Sequence, residues 1–403
     1  MAAVLAVAAT PFIRGDEARA ATTFTVTSAV DASDAAPGNG VCETSVAGQC
    51  TLRAAIEEAN ALAGVDTINF NIPGATPLAP ATILPSTPLP SIGEAVTIDG
   101  YSQPSASANT LAVGNDAGIA IALQGSPVST GLSVAAGPTV IRGLSVVNFS
   151  AQAITVSSGA GVTIAGNFIG LNPNGTFVGN FTGVQLTVGA NNVSIGGSTP
   201  ADRNVISGNT QDGISVAAVT GLAVRGNYIG TSLSGTAELP NVRFGLLLGG
   251  SGAQIGGLTA GDRNVISGNG QEGMRVSGST NTIVGNYIGT TANGLTALGN
   301  QDGIFVSNGG IINSAIGNGT VAGRNVISGN RRSGIQHGPL GSRTTIRGNW
   351  IGVASDGSSP LGNNTASLGG AGILVTASGL MPLAATIGGN NAGDANIIAN
   401  TIA

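Results

Sequence analysis

Gly226-Asn227-Tyr228-Ile229-Gly230 is the most informative stretch of the sequence, because this short pattern of glycine, asparagine, an aromatic residue and isoleucine recurs along the chain. Further copies, with Phe, Tyr or Trp as the aromatic residue, begin at Gly166, Gly285 and Gly348. The copies are spaced by about 60 residues, a period typical of repeat architectures built from stacked units.

A second motif, Arg-Asn-Val-Ile-Ser-Gly-Asn, recurs with the same period. It starts at Arg203, Arg263 and Arg324, with a degenerate copy over 395–400. A third pattern, glycine followed by alternating apolar residues, halves the period to roughly 30 residues. It begins at Gly183, Gly213, Gly245, Gly273, Gly303, Gly334 and Gly372.

Each half-period contains three short apolar segments separated by corners rich in Gly, Asn and Ser. In one copy these segments are residues 213–216, 222–225 and 228–229. Such strands are too short to stand alone, but each can pair with its equivalent about 4.8 Å away in the next unit. The pattern predicts an all-β fold, a parallel β-helix with three strands per turn (here called a rung) and lateral loops that alternate between successive rungs.

The composition of the 403 residues fits this narrow solenoid. Glycine accounts for 66 residues, 42% of the chain is hydrophobic and only 3% is aromatic. The hydrophobic content argues against intrinsic disorder, and glycine does not recur at every third position as in collagen. With so few aromatic residues, small and β-branched side chains must fill the core.

The charge pattern argues against two classes of partner, nucleic acids and anionic lipid surfaces. All 14 basic residues are arginine and the net charge is −5. A nucleic-acid-binding protein or a protein that docks on anionic lipid would show a basic stripe.

No apolar run reaches the roughly 20 residues of a membrane span. The apolar start and the Ala-Arg-Ala sequence at 18–20 are typical of an export signal, so we expect residues 1–20 to be a signal-peptide remnant.

Residues 21–130 differ from the regular repeats and are expected to form an N-terminal cap with the first, irregular rungs. Cys42 and Cys50 lie in one loop without nearby histidines, so an exported chain would pair them in a disulfide. Residues 51–62 have helical apolar spacing, with Thr51 as N-cap and Gly64 closing the helix. The regular β-helix is expected over 131–403. No second cap is recognisable at its far end, so we expect the sequence to be a fragment.

The repeats resemble those of the right-handed parallel β-helix (pectate-lyase-like) superfamily. The stretch 50–56, Cys-Thr-Leu-Arg-Ala-Ala-Ile, resembles the Cys-Ser-Leu-Arg-Glu-Ala capping module of secreted bacterial repeat proteins, with Ala54 in the place of glutamate. The resemblance implies a right-handed solenoid that is secreted or held at a bacterial cell surface. The superfamily contains polysaccharide lyases, hydrolases, epimerases and adhesins, and the fold does not choose among them.

Candidate catalytic groups precede the glycine of the third pattern. Asp212, Glu272 and Asp302 occupy equivalent corners, and Glu272 and Asp302 fall on neighbouring rungs. Their carboxylates could approach about 5 Å, the separation in a retaining glycosidase, with Arg275 nearby, or they could bind Ca²⁺. The competing interpretation is that Asp-Gly is simply a favourable turn. His337 is expected to be an ordinary strand residue. No metal site or other cofactor is indicated.

Candidate ligand-binding groups follow the two long motifs. Arg203 and Arg263 recur on every second rung and could bind an acidic glycan. Alternatively, they could form ion pairs with the aspartates that precede them. Tyr228, Tyr287 and Trp350 could form a sugar-stacking strip if they point outward, or an aromatic core stack if they point inward. Since the neighbouring Ile is the better core residue, exposed aromatics are favoured. The recurring asparagines are expected to form structural ladders.

Three functions remain open. The protein is expected to be an extracellular, non-catalytic β-helix that binds a polysaccharide or cell-surface glycan, because no unique polar cluster interrupts the repeats. It could instead be a polysaccharide lyase or glycoside hydrolase that uses Glu272, Asp302 and Arg275. As a third possibility, it could be a structural spacer of a larger surface protein.

Overall fold

The structure, a computed structural model, is a parallel β-helix. It describes residues 21–125, 128–307, 313–338, 343–366, 368–376 and 385–399. Within these ranges three parallel sheets hold twelve, eleven and nine strands, and each chain turn contributes one strand to each sheet in the regular part. The predicted fold class is confirmed. The expected signal peptide lies outside the described residues.

The strands are short, and their bounds follow the repeats. Sheet I contains Thr23–Val26, Asp66–Phe70, Val96–Asp99, Thr139–Arg142, Thr163–Ala165, Ser194–Gly196, Ala223–Arg225, Gln254–Gly256, Thr282–Val284, Ala315–Ile316, Thr345–Ile346 and Thr386–Ile387. Sheet II contains Ala81–Ile83, Ile121–Gln124, Leu144–Val147, Phe168–Ile169, Val205–Ile206, Tyr228–Ile229, Val265–Ile266, Tyr287–Ile288, Val326–Ile327, Trp350–Ile351 and Ile397–Ile398. Sheet III contains Leu132–Val134, Gln152–Val156, Thr182–Leu186, Ile214–Val216, Leu246–Leu248, Met274–Val276, Ile304–Val306, Ile335–His337 and Ile373–Val375.

The register places equivalent repeat positions directly above one another. Tyr228 pairs with Val205 on one side and with Val265 on the other, so the two long motifs alternate along sheet II. Because successive side chains of a strand point to opposite faces, the isoleucine that follows each of these residues points into the solenoid. Ile229 and Ile266 have no exposed surface, as the narrow aliphatic core requires.

Two asparagine ladders hold the corners on either side of sheet II. In the first, the side-chain amide of Asn227 donates to Asn264 at 3.0 Å. The members of this ladder are Asn167, Asn204, Asn227, Asn264, Asn286, Asn325, Asn349 and Asn396. The second ladder contains Asn180, Asn209, Asn241, Asn269, Asn300, Asn330 and Asn363. The predicted structural role is confirmed, and rungs of both kinds supply the asparagines.

The glycine that ends the first motif is required by this packing. Gly230 has φ +89°, and a Cβ atom there would lie 2.4 Å from Oδ1 of Asn269. A larger residue would therefore meet both backbone strain and a clash with the second ladder.

The N-terminal region forms the expected helix and disulfide. The helix spans Leu52–Ala61, and the Thr51 hydroxyl accepts a hydrogen bond from the Ala54 N–H at 3.1 Å. Its apolar face packs on the first strands of sheet I. Cys42 and Cys50 are disulfide-bonded. This arrangement fits the predicted cap.

Exposed strands mark the opposite end of the described core. Ile387, Ile397 and Ile398 are each nearly half exposed, whereas equivalent isoleucines in earlier rungs are buried. The described residues include no helix of the length and apolarity that crossing a bilayer would require.

Candidate functional site

The outer face of sheet II forms a valley between two rows of lateral loops. One row leaves the carboxyl ends of alternate strands as bridged loops over 171–177, 231–238, 290–297 and 353–360. The other row enters the amino ends of the remaining strands, with 3₁₀ turns at Pro200–Asp202 and Ala260–Asp262. Because all strands are parallel, these rows lie at opposite edges of the sheet, and the outward residues of sheet II line the floor between them.

Each arginine of the second motif lies on the aromatic ring of the following rung. The guanidinium carbon of Arg263 is 4.2 Å from the ring centre of Tyr287, and Arg324 lies 4.2 Å from that of Trp350. In both cases Nε donates to the carbonyl of the glycine two residues before the aromatic residue, at 3.3 Å. Arg203 over Tyr228 has the same arrangement at 4.6 Å. Stacking and hydrogen bond together fix the orientation of each guanidinium group.

The aromatic residues point away from the solenoid core, as expected, but they do not form an exposed sugar-stacking strip. Tyr228 is only 2% exposed and belongs to an outer apolar cluster. Tyr287 and Trp350 are half-buried. The backbone of the lateral loops also packs on these rings: a Cβ on Gly357 would lie 2.6 Å from the indole of Trp350. The expectation of exposed aromatics was wrong for Tyr228, because a loop and an arginine cover it.

Arg203 is enclosed by a loop from an early, irregular rung. Its terminal nitrogens donate to the carbonyls of Leu111, Ala112 and Gly114, and the Gly114 N–H donates to the hydroxyl of Tyr228 at 2.8 Å. Burial lowers the pKa of Arg203. Arg203 was predicted to contact a ligand, but its terminal nitrogens are already hydrogen-bonded to the protein's own carbonyl groups.

At Arg263 and Arg324, no described carbonyl accepts a hydrogen bond from the equivalent terminal nitrogens. Over the described ranges, Nε is the nitrogen through which each of them makes a protein hydrogen bond, and neither forms an ion pair. Arg263 lines a cavity of about 310 Å³ between the two loop rows, together with Ala112, Val113 and Ala260. Burial lowers the pKa of Arg324.

The aspartates before these arginines do not pair with them. Asp262 accepts hydrogen bonds from the backbone and hydroxyl of Thr259 and from the hydroxyl of Ser198. Asp202 accepts the equivalent bonds from Thr199. Both aspartates close capping boxes of the 3₁₀ turns, so the ion pairs considered for these loops are absent among the described residues.

The predicted catalytic residues lie on a different face, beside sheet III. Glu272 and Asp302 are on neighbouring rungs, as expected. Asp302 is fully buried, and both of its oxygens accept hydrogen bonds from Arg332, with a further bond from the Ser333 N–H at 2.9 Å. Arg275 lies 3.8 Å from Glu272. In the predicted pair, the carboxylate of Asp302 is therefore already engaged by a partly exposed arginine.

Burial dominates the electrostatics of the other two carboxyls on this face. It raises the pKa of Asp212, with Arg243 at 3.8 Å opposing the shift. It also raises the pKa of Glu272, whose Oε2 atom is buried without a hydrogen bond. No group of three or more potential metal-ligating side chains occurs among the residues with described positions.

Sequence reasoning missed Arg332 and the loop at 111–114. Arg332 could have been noticed in the sequence, because Arg-Ser-Gly over 332–334 replaces the Gln-Asp-Gly of the preceding rung at 301–303. The loop had no such signal, since it lies roughly 90 residues before Arg203 in sequence and outside the repeat pattern. His337 lies in a sheet III strand and is 1% exposed, as predicted for an ordinary strand residue.

Comparisons with known proteins add little to this geometry. No protein-family model and no curated protein matches the chain. Among solved structures, the chain is similar to the Dettilon tailspike protein, with 14% identity and a TM-score of 0.44 over 86% of this chain. The similarity covers 64% of the tailspike chain. The β-helix assignment rests on the strand pairing of the protein itself.

Proposed function

We propose that the protein is an extracellular, non-catalytic β-helix that binds an acidic polysaccharide in the valley over sheet II. The observation that carries this proposal is the pair Arg263 and Arg324, two oriented guanidinium groups without a carboxylate partner in the described structure. A guanidinium fork matches a carboxylate in a bidentate geometry. A linear glycan fits the valley because its walls and floor extend along the solenoid axis.

The covered copy of the site, at Arg203, supports oxygen atoms as the ligands of these guanidinium groups. At Arg203, the terminal nitrogens are satisfied by three carbonyl oxygens. The equivalent edge at Arg263 and Arg324 is free to receive oxygen ligands from outside the chain. Because these guanidinium groups are already held by stacking and by one hydrogen bond, little side-chain freedom is lost on binding.

The extracellular placement rests on chemistry near the N-terminus. The Cys42–Cys50 disulfide is typical of oxidising compartments, and the chain contains no other cysteine. The proposed export signal at 1–20 and the resemblance to secreted bacterial repeat proteins agree with this placement. Secretion into the culture medium or retention at the cell surface can be measured by fractionating cells that express the full chain.

The carboxylates beside sheet III do not favour catalysis over binding. A retaining glycosidase needs one carboxyl to act as nucleophile and another to act as acid. Asp302 has both oxygens engaged by Arg332, and Glu272 sits against Arg275. These contacts support a structural role for the pair.

Trp350 provides the test, because it is the single tryptophan of the chain and lies beneath Arg324. We expect a saturable change in its fluorescence when the protein is titrated with an acidic polysaccharide such as polygalacturonate or hyaluronan. Neutral dextran should give no change. Arg324→Gln should weaken binding at least about tenfold, since charge-assisted hydrogen bonds contribute roughly 1.5–3 kcal/mol.

Arg343→Gln is the matched control, because Arg343 is exposed outside the valley and the substitution removes the same charge. It should leave binding unchanged. Unaltered binding by an Arg263→Gln/Arg324→Gln double variant would contradict the proposed site. Failure of the folded wild-type protein to bind any acidic polysaccharide would contradict the function itself.

A further inference from the structure

The two open arginines are separated by two rungs. Arg263 precedes the strand Val265–Ile266, and Arg324 precedes Val326–Ile327, with Tyr287–Ile288 paired between these strands. Neighbouring strands lie about 4.8 Å apart, so two rungs correspond to about 10 Å along the solenoid axis. Since both guanidinium groups have the same stacking distance and the same Nε hydrogen bond, their free edges should repeat with that spacing.

On sheet II, the described residues of the rung between the arginines add no second cation. The register that pairs Val265 with Tyr287 places Gly285 opposite Arg263, and the carbonyl of Gly285 is the acceptor for the arginine Nε. The outward side chain at this level is Tyr287, whose ring Arg263 contacts. Along sheet II, one positive charge therefore alternates with one uncharged step.

Within the described residues, the series of accessible arginines along the valley ends on both sides. At the amino-terminal end, the carbonyls of Leu111, Ala112 and Gly114 occupy the guanidinium edge of Arg203. At the other end, Ala395 stands where the motif has arginine, before the strand Ile397–Ile398. This leaves two open sites in the described part of the valley.

Building on the proposed function, we propose that Arg263 and Arg324 together bind one glycan segment that carries two carboxylates about 10 Å apart on the same side. In a linked pyranose chain, acidic sugars separated by one neutral sugar meet this requirement, with the neutral sugar above Tyr287. Two carboxylates on directly adjacent sugars do not fit the same two arginines as well. The glycan chain runs along the solenoid axis.

Bridging both sites by one molecule has a measurable consequence. Once the first carboxylate is bound, the second binds intramolecularly, which typically strengthens overall binding by about 10²–10⁴-fold. A fragment with a single carboxylate cannot gain this factor. The affinity should therefore rise abruptly between one and two correctly spaced carboxylates and should depend on both arginines.

Defined oligosaccharides test this directly through the fluorescence of Trp350. The probes are a hyaluronan disaccharide with one carboxylate, a hyaluronan tetrasaccharide with two carboxylates separated by a neutral sugar, and digalacturonate with carboxylates on adjacent sugars. We expect the tetrasaccharide to bind at least about 10²-fold more tightly than the other two. Arg263→Gln should reduce tetrasaccharide affinity to that of the disaccharide, while disaccharide binding beside Trp350 stays unchanged. Arg343→Gln again serves as control.

Several results would overturn the two-site proposal while leaving the proposed function intact. Equal affinity for digalacturonate and the tetrasaccharide would remove the spacing requirement. Full tetrasaccharide affinity in Arg263→Gln would show that Arg324 acts alone. Binding of polymeric hyaluronan without binding of the tetrasaccharide would contradict the two-carboxylate unit. A wild-type protein that binds none of the acidic polymers would instead contradict the proposed function.

Discussion

Replacing Asn269 by aspartate tests the ladders that hold the valley in place. Asn269 lies inside the second ladder and has no exposed surface. Its amide nitrogen donates to Oδ1 of Asn300 at 2.9 Å and to the carbonyl of Ile229 at 3.2 Å, and its Oδ1 accepts from Asn241 at 2.9 Å. Aspartate keeps the shape and the acceptor but turns the donor contacts of the amide nitrogen into contacts between oxygen atoms.

The cost follows from these contacts. Ionised aspartate would be a buried charge without a counter-ion, and leaving such a charge uncompensated costs about 3–5 kcal/mol. A protonated aspartate can still donate one hydrogen bond, so it should cost roughly 1–2 kcal/mol. Burial therefore raises the pKa of the new carboxyl in the folded protein. The variant should recover part of its stability, relative to the wild type, as the pH falls through that raised value.

Asn174 is the matched control, because it is an exposed asparagine that uses only its acceptor. Its Oδ1 accepts from the backbone and hydroxyl of Thr176 at 3.0 and 2.7 Å. Aspartate can make both contacts, so Asn174→Asp should change stability by less than about 0.5 kcal/mol. Urea unfolding followed by circular dichroism, with amide exchange to detect local opening of the solenoid, gives the comparison. Asn269→Asp that is as stable as the control at neutral pH would refute the ladder reasoning.

Three other buried ionisable residues give separate stability tests by thermal unfolding. Asp302→Asn should destabilise the fold by about 1–3 kcal/mol, because it weakens the charge-assisted hydrogen bonds from Arg332, whose own side chain is partly exposed. Glu272→Gln should be at least as stable as the wild type at neutral pH; burial raises the pKa of Glu272 above 4.5, so the advantage should vanish below pH 4.5. Burial lowers the pKa of His337 below 6.5, so the wild type should lose stability relative to His337→Val as the pH falls through 6.5. The reasoning would be wrong for His337 if the valine variant lost more stability in acid than the wild type. It would be wrong for Glu272 if Glu272→Gln were less stable than the wild type at neutral pH, and for Asp302 if Asp302→Asn were as stable as the wild type.

The repeating part of the fold could be predicted closely because each strand is specified many times. The segments expected over 213–216, 222–225 and 228–229 became strands Ile214–Val216, Ala223–Arg225 and Tyr228–Ile229. Their registers follow from stacking identical motifs, so no long-range pairing had to be guessed. The asparagine columns were predictable for the same reason.

The environment of each repeat could not be predicted, because single, non-repeating segments determine it. Tyr228 and Trp350 occupy the same motif position, yet a loop near Gly114 covers the first ring and not the second. Likewise, the Asp-Gly pattern placed Asp302 correctly beside sheet III, but it gave no indication that Arg332 takes both carboxylate oxygens. Contacts between distant segments decide which copies of a motif remain accessible.

The structural unit of the proposed binding surface is two rungs rather than one. A rung with the arginine motif supplies the cation and a 3₁₀ turn on one side of the valley, and the next rung supplies the ring that supports the cation and a loop on the opposite side. Neither rung alone can orient the guanidinium group. The number of proposed binding sites is therefore set by how many such pairs stay uncovered, and the roughly 60-residue period of the sequence corresponds to a spacing of about 10 Å between them.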